Sequence, residues 1–167
     1  MSVQWSPEFL SETAISNVLR ASTSIPNIHI SDTLQKREWP CLIVTCNSSE
    51  QDNSVGRGIN FQGGYQSGVF KQAVEVALEM KADLLVKPSQ NAQITPEASK
   101  LWMMVYQSLF QATILPNLLT ESVVQPYQCF SALIGDIQQS VDEEKRTWRK
   151  SMTVNLRVMV AVGNPPS

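Results

Sequence analysis

The side chains able to do covalent or acid–base chemistry are few and scattered. His29 is the one histidine in 167 residues. That excludes multi-histidine metal sites and leaves a single base for a Ser-His or Cys-His nucleophile. It stands in Pro26-Asn-Ile-His-Ile30, where a short strand would turn it to solvent opposite Ile28 and Ile30. Cys41, Cys46 and Cys129 are odd in number, lack CxxC spacing and lie in apolar, strand-like stretches, so buried reduced thiols are expected. Carboxylates gather at Asp142-Glu143-Glu144, but Lys145 and Arg146 follow directly. Such a mixed-charge run reads as a solvated turn, not as an acid/base dyad. Gly56-Arg-Gly58 invites comparison with a phosphate cradle, yet Phe61 stands where a dinucleotide fingerprint needs its third glycine and no Gly-Lys-Ser/Thr follows. Nothing in these residues groups into a catalytic set, a cofactor site or a metal site. No enzyme and no cofactor are expected.

The elements that must position these residues are set by composition. The chain has 13 Lys+Arg against 15 Asp+Glu, a net charge of −2, and only 17% charged residues, where an ordinary soluble domain has roughly 25%. Ser, Gln and Asn fill 42 positions, while 43% of residues are apolar. This length and apolar content suit one domain, 1–167, with a substantial core. The net charge argues against general electrostatic binding to nucleic acid or anionic membrane. No apolar run approaches the roughly 18 to 20 residues of a membrane helix. Met1 to Phe9 lacks the basic and apolar regions of a secretion signal, so cytoplasmic synthesis and no membrane partner are expected.

Two helices are predicted. Ser6 can cap the first, Pro7 suits its first position, and Glu8 lies near the positive end of its dipole. Phe9, Leu10, Ala14, Ile15 and Val18 then recur at helical spacing, and the pattern fades at Ser22 to Pro26. Thr95-Pro96-Glu97 repeats the same cap logic for the second. Its face is Ala98, Leu101, Trp102, Val105, Leu109 and Ala112, widened by Met103, Met104 and Phe110 and buried as core, with Pro116 marking its end.

The remaining elements read as strands. Trp39-Pro40 introduces Cys41-Leu-Ile-Val-Thr-Cys46, an uncharged run suited to a strand buried on both faces. Val69 to Val86 has good helix formers, but Val74, Val76, Leu78, Met80 and Ala82 alternate with Ala73, Glu75, Ala77, Glu79 and Lys81. That period of two predicts a strand with one wet face. Tyr127, Cys129, Leu133 and Ile137 alternate imperfectly with polar residues. After a charged turn, Val141 to Lys150, the residues Met152, Val154, Leu156, Val158, Val160 and Val162 form the cleanest strand face of the chain. The last 35 to 40 residues therefore read as a long antiparallel hairpin. Strands that follow each other without helices imply an α+β fold: a largely antiparallel sheet, two α-helices packed on one face and a long C-terminal β-hairpin.

From Asn47 to Gly68 the composition changes. This stretch carries five of the seven glycines, with Asn, Ser and Gln between them, and reads as a long flexible loop. Unstructured loops of this length are uncommon unless they serve a function. A protein-contacting arm that orders on assembly fits, with Arg57, Phe61 and Tyr65 as its anchors.

This order of elements, together with the phrases Trp39-Pro-Cys-Leu-Ile-Val-Thr45, Gly68-Val-Phe-Lys-Gln-Ala-Val-Glu-Val76 and Thr147-Trp-Arg-Lys-Ser-Met-Thr-Val-Asn155, resembles the tail-terminator or neck proteins of long-tailed bacteriophages. The resemblance covers most of the chain in arrangement and carries no catalytic motif. It implies a virion protein, made in the host cytoplasm, that assembles as a homo-oligomeric ring, a hexamer, at the head-proximal end of the tail. Such a ring ends tube growth, meets tail-tube and head-connector proteins, and surrounds a lumen that brings it near DNA. Head-to-tail contacts in a ring need two different complementary surfaces per subunit. The 47–68 loop is one candidate. The hairpin end with Glu143, Glu144, Arg146, Trp148 and Arg149 is the other, since Trp and Arg are enriched at the energetic centres of interfaces. Trp148 has a second placement open to it, packed against its own sheet. A surface poor in charge also has less desolvation to overcome when neighbours bury it. The alternatives are another head-completion or tail-tube subunit, an adaptor using the same sheet, or a small cytoplasmic enzyme whose Asp, Glu, Ser or Arg site spacing does not reveal.

Overall fold

The computed structural model describes residues 6–30, 38–51, 72–87, 93–110 and 127–162. Helix α1 spans Pro7–Ser22, with Ser6 in extended conformation as its N-cap and the Ser6 hydroxyl accepting the Phe9 N–H at 3.3 Å. The Ser-Pro-Glu start therefore acts as its residue types require. Burial alone would raise the Glu8 carboxyl, but hydrogen bonds from Ser49, its own backbone and Ser6 outweigh that and hold it below its ordinary value. The helix ends where the Thr23 hydroxyl and backbone N–H both donate to the Leu19 carbonyl, at 2.7 and 2.9 Å.

Five strands form one sheet in the order β1-β2-β3-β5-β4: β1 is Asn27–Ile30, β2 Cys41–Gln51, β3 Gln72–Val86, β4 Tyr127–Asp142 and β5 Thr147–Val162. Among the described residues, only β1 and β2 run parallel; the other pairings are antiparallel. Helix α2, Ile94–Phe110, lies between β3 and β4 in sequence. It opens before Thr95, so the Thr-Pro-Glu phrase sits in the first turn and Thr95 is not the cap. The expected α+β class, the mainly antiparallel sheet and the closing hairpin are all present.

Both helices pack on one face. Leu10, Ala14, Ile15, Val18 and Leu19 of α1, with Ala98, Trp102, Val105 and Leu109 of α2, meet Leu42 and Val44, the even-numbered residues of β3 from Val76 to Val86, and Met152 to Val158 on alternate positions of β5. This is the period-two pattern of β3 made structural: Val76, Leu78, Met80, Ala82, Leu84 and Val86 point to the helices. On the opposite face, Cys41, Ile43 and Leu85 make a small buried cluster of their own. Cys41 to Val44 are thus buried on both sides of the sheet, as an uncharged run predicts.

Several expectations are corrected. Residues 47–51 are not loop; they continue β2, pairing Ser48 with Glu79 and Gln51 with Val76 after a register shift between Cys46 and Ser48. Backbone ladder bonds hold that extension, so its polar side chains concealed it. The rest of the 47–68 segment lies outside the described residues. The charged turn is shorter than Val141 to Lys150, because strand pairing continues to Asp142 and resumes at Thr147. His29 is half-buried, in register with Ile43, and not solvated. Met103 and Phe110 are 52% and 61% exposed, so the core-facing arc of α2 is narrower than its sequence suggests.

The imperfect alternation of β4 has a physical cause. Register shifts fall between Cys129 and Ser131 and between Ile134 and Ile137. Each bulge moves the following residues to the other face. Cys129, opposite Val158, points to the core; Leu133, opposite Asn155, points away from it and is 65% exposed; Ile137, opposite Met152, returns to the helix side. Gly135 lies within the second irregular stretch, where an added Cβ would stand 3.1 Å from the Asn155 amide nitrogen.

Candidate functional site

The hairpin end is a four-residue turn, Glu143 to Arg146, between the long β4 and β5. Asp142 accepts the Lys145 N–H at 3.1 Å, the Arg146 N–H donates to the Glu143 carbonyl at 3.3 Å, and the Thr147 hydroxyl donates to the Lys145 carbonyl at 3.2 Å. Arg146 adopts a positive φ of 48°. Glu143, Glu144 and Arg146 are exposed there. Together with the start of α2 at Ile94 to Pro96, the turn walls a groove of about 560 Å3.

Strand alternation then separates two residues that are neighbours in sequence. Trp148 turns to the helix side and is 2% exposed. Its ring meets Trp102 of α2 edge-on, with centroids 6.5 Å apart and planes at 67°. The Lys150 ammonium lies 5.2 Å from the Trp102 ring centre and 5.9 Å from that of Trp148. Of the two placements open to Trp148, the structure takes the internal one. Arg149 projects from the other face and ion-pairs with Asp83. Arg57, Phe61 and Tyr65 lie outside the described residues.

Asp83 and Lys81 were not singled out by the sequence, yet they complete the chemistry of that open face. Asp83 is 7% exposed; one carboxylate oxygen takes Arg149 and has the Lys81 ammonium at 3.6 Å. The signal was available as one carboxylate inside the apolar end of β3, Met80-Lys-Ala-Asp-Leu-Leu-Val86. A charge in such a place needs a partner.

The thiols are unsuited to nucleophilic work. All three cysteines are free; Cys41 and Cys129 are buried, Cys46 half-buried. Burial, with the charges of Glu12 and Glu8 nearby, pushes the Cys46 thiol up to about 11. Burial does the same to Cys129, also to about 11, against a hydrogen bond with the Ser131 backbone. Both stay protonated at neutral pH. Among the described residues, no group of three or more His, Cys, Asp or Glu side chains could hold a metal ion. No described helix is long and apolar enough to cross a membrane.

What the arrangement offers is recognition through a polar sheet face and a long hairpin, with the aromatic pair as internal support. The same arrangement of strands and helices occurs in a chain of a native gene transfer agent virion, at a TM-score of 0.52 and 9% identity, covering 89% of this chain and 93% of that one. A sheath/tube terminator of an extracellular contractile injection system, in its extended state, aligns at a TM-score of 0.44 and 12% identity over 99% of this chain and 62% of that chain, a likeness too low to bear on the fold. No protein-family model and no curated protein matches the sequence.

Proposed function

We propose that the chain is a non-enzymatic virion subunit that forms a homo-oligomeric ring, a hexamer, at the head-proximal end of a tail, where it ends tube growth and joins tail to head. The observation that carries this is the shared fold with a gene transfer agent virion chain over nearly the full length of both. The sequence phrases around Trp39, Gly68 and Thr147 point the same way. Support also comes from the surface. A ring subunit must bury much of its exterior, and here Leu133, Ile137 and Val141 of β4 remain 65%, 44% and 44% exposed. They lie on an edge strand of 16 residues, a kind of edge that proteins otherwise cover or blunt. Tail-tube and head-connector proteins are the partners in this reading, and the lumen brings DNA close to the ring.

Native mass measurement tests the stoichiometry. A hexamer gives a species of six 18.6 kDa chains that persists on dilution into the assembly buffer. A chain that stays monomeric alone and on tail tubes contradicts the proposal.

A further inference from the structure

Among the described residues, strand β4 pairs on one side only, with β5, and its other edge is open. After its second bulge the strand alternates regularly. Ile137 opposite Met152, Gln139 opposite Lys150 and Val141 opposite Trp148 all face the helix side. Helix α2 does not cover them, and Ile137 and Val141 stay 44% exposed. Met104 of α2 leans toward the end of α1, where the Ser24 hydroxyl reaches its sulfur at 3.4 Å. At roughly 100° per residue, Trp102 and Tyr106 then lie on the opposite flank, beside β4. A trough thus runs between α2 and β4. At the hairpin end it opens into the groove of about 560 Å3 walled by Ile94, Pro96 and Val141. Lys150 stands at its floor, with its ammonium over the Trp102 and Trp148 rings at 5.2 and 5.9 Å from their centres. The residue is half-buried, yet its ammonium is not one of the sealed polar atoms, so an incoming group can reach it. Among the described residues, no carboxylate is paired with it.

Three features select one occupant. Open backbone N–H and C=O groups take an extended strand. Exposed Ile137 and Val141 take apolar side chains at alternate positions of that strand. Between them, opposite Gln139, Lys150 calls for a carboxylate, because a cation shielded from water gains more from an opposite charge than an exposed one does. We propose that the open edge of β4 receives a strand of a different protein, with Asp or Glu over Lys150 and an apolar residue two positions to either side. A second copy of this chain does not supply such a strand. The helix-side residues of β4 in regular register, from Ala132 to Val141, include no carboxylate, and the other outer strand, β1, reads Asn27-Ile-His-Ile30. Directly opposed residues share a face of the sheet, so pairing β4 with β4 would leave both copies of Lys150 unmet. The partner's place in the particle rests on the proposed virion role; the docking itself does not.

Titration of the full chain with the synthetic peptide Thr-Val-Thr-Glu-Thr-Val-Thr tests this, read by tryptophan fluorescence because Trp102 and Trp148 adjoin Lys150. The peptide is palindromic and reads alike in either strand direction. It is expected to bind. A version with Gln at its centre should bind about tenfold or more weakly, the worth of a hydrogen bond to a charged group, and a Lys-centred version more weakly still. Lys150→Glu is expected to reverse that order and prefer the Lys-centred peptide. If circular dichroism shows that this variant does not fold, the wild-type peptide series decides alone. No binding of the Glu-centred peptide at millimolar concentration, equal binding of all three, or an unchanged order in folded Lys150→Glu overturns the proposal. So does loss of wild-type self-association in sedimentation velocity when the peptide saturates the chain, since the edge would then belong to a second copy. A monomer that binds the Glu-centred peptide selectively overturns the ring and leaves the docking standing.

Discussion

The Glu12 carboxylate of α1 accepts the backbone N–H of Cys46 on β2 at 3.0 Å. The contact falls at the register shift between Cys46 and Ser48, where the β2–β3 ladder is interrupted. A bulge disrupts ladder pairing locally, and here a helix side chain supplies an acceptor. Glu12 is 8% exposed, so the bond is shielded from water and ties the first helix to the sheet at the point where β2 changes register. Glu12→Ala is expected to lower unfolding stability by about 2–3 kcal/mol, and Glu12→Gln by less, because a hydrogen bond to a charged group is worth about 1.5–3 kcal/mol. Urea denaturation followed by circular dichroism measures the difference.

Trp148 and Trp102 hold α2 to the central strands. Truncating a buried aromatic leaves a cavity, so Trp148→Ala is expected to cost about 3–5 kcal/mol. Trp148→Phe costs less, because it keeps an aromatic ring and removes the buried indole N–H that has no partner. A double-mutant cycle between Trp102 and Trp148 should return a coupling of about 0.5–1.5 kcal/mol, the range for edge-on aromatic pairs. A cycle that returns zero would deny the contact.

The thiols give the protein an alkaline limit. An ordinary thiol here ionises near 9.0, whereas Cys46 and Cys129 do so at about 11 in the folded chain. Between those values the unfolded chain sheds protons that the folded chain retains, so stability falls as pH rises from about 9 to about 11. Replacing both by Ala should flatten that slope when thermal midpoints are measured across the range, whatever it does to the midpoint at neutral pH.

The first bulge of β4 is tested by substitution on either face of the sheet. Leu133→Ser should change stability by no more than about 0.5 kcal/mol, as for an exposed site. Leu156→Ala, on the core face of β5 and 1% exposed, should cost about 2–5 kcal/mol. A large loss from Leu133→Ser would mean that β4 runs without the first bulge.

How far the sequence could be read follows from where side chains, as opposed to backbone bonds, decide the structure. The cap at Ser6 and the alternation from Val76 to Val86 were legible, because each depends on residue type at fixed spacing. The extension of β2 through Asn47-Ser-Ser-Glu-Gln51 was not, since polar side chains on a laddered strand look like those of a loop. Nor was the side-switching of Leu133, because a bulge adds a residue without marking it. At the hairpin end, strand alternation put Arg149 on the open face and Trp148 in the core, and only the registers with Leu85 and Val86 on β3 show which is which. Asp83 escaped notice because its partner Arg149 comes from another strand, which composition does not reveal.

Electron microscopy of the purified chain mixed with tail tubes of its own particle is the most direct test of the assembly role. A ring subunit of this kind should appear as a disc at one end of the tubes, stop their further growth, and leave that end competent to receive a head. Tubes that elongate unchanged, with no density added at either end, would contradict it.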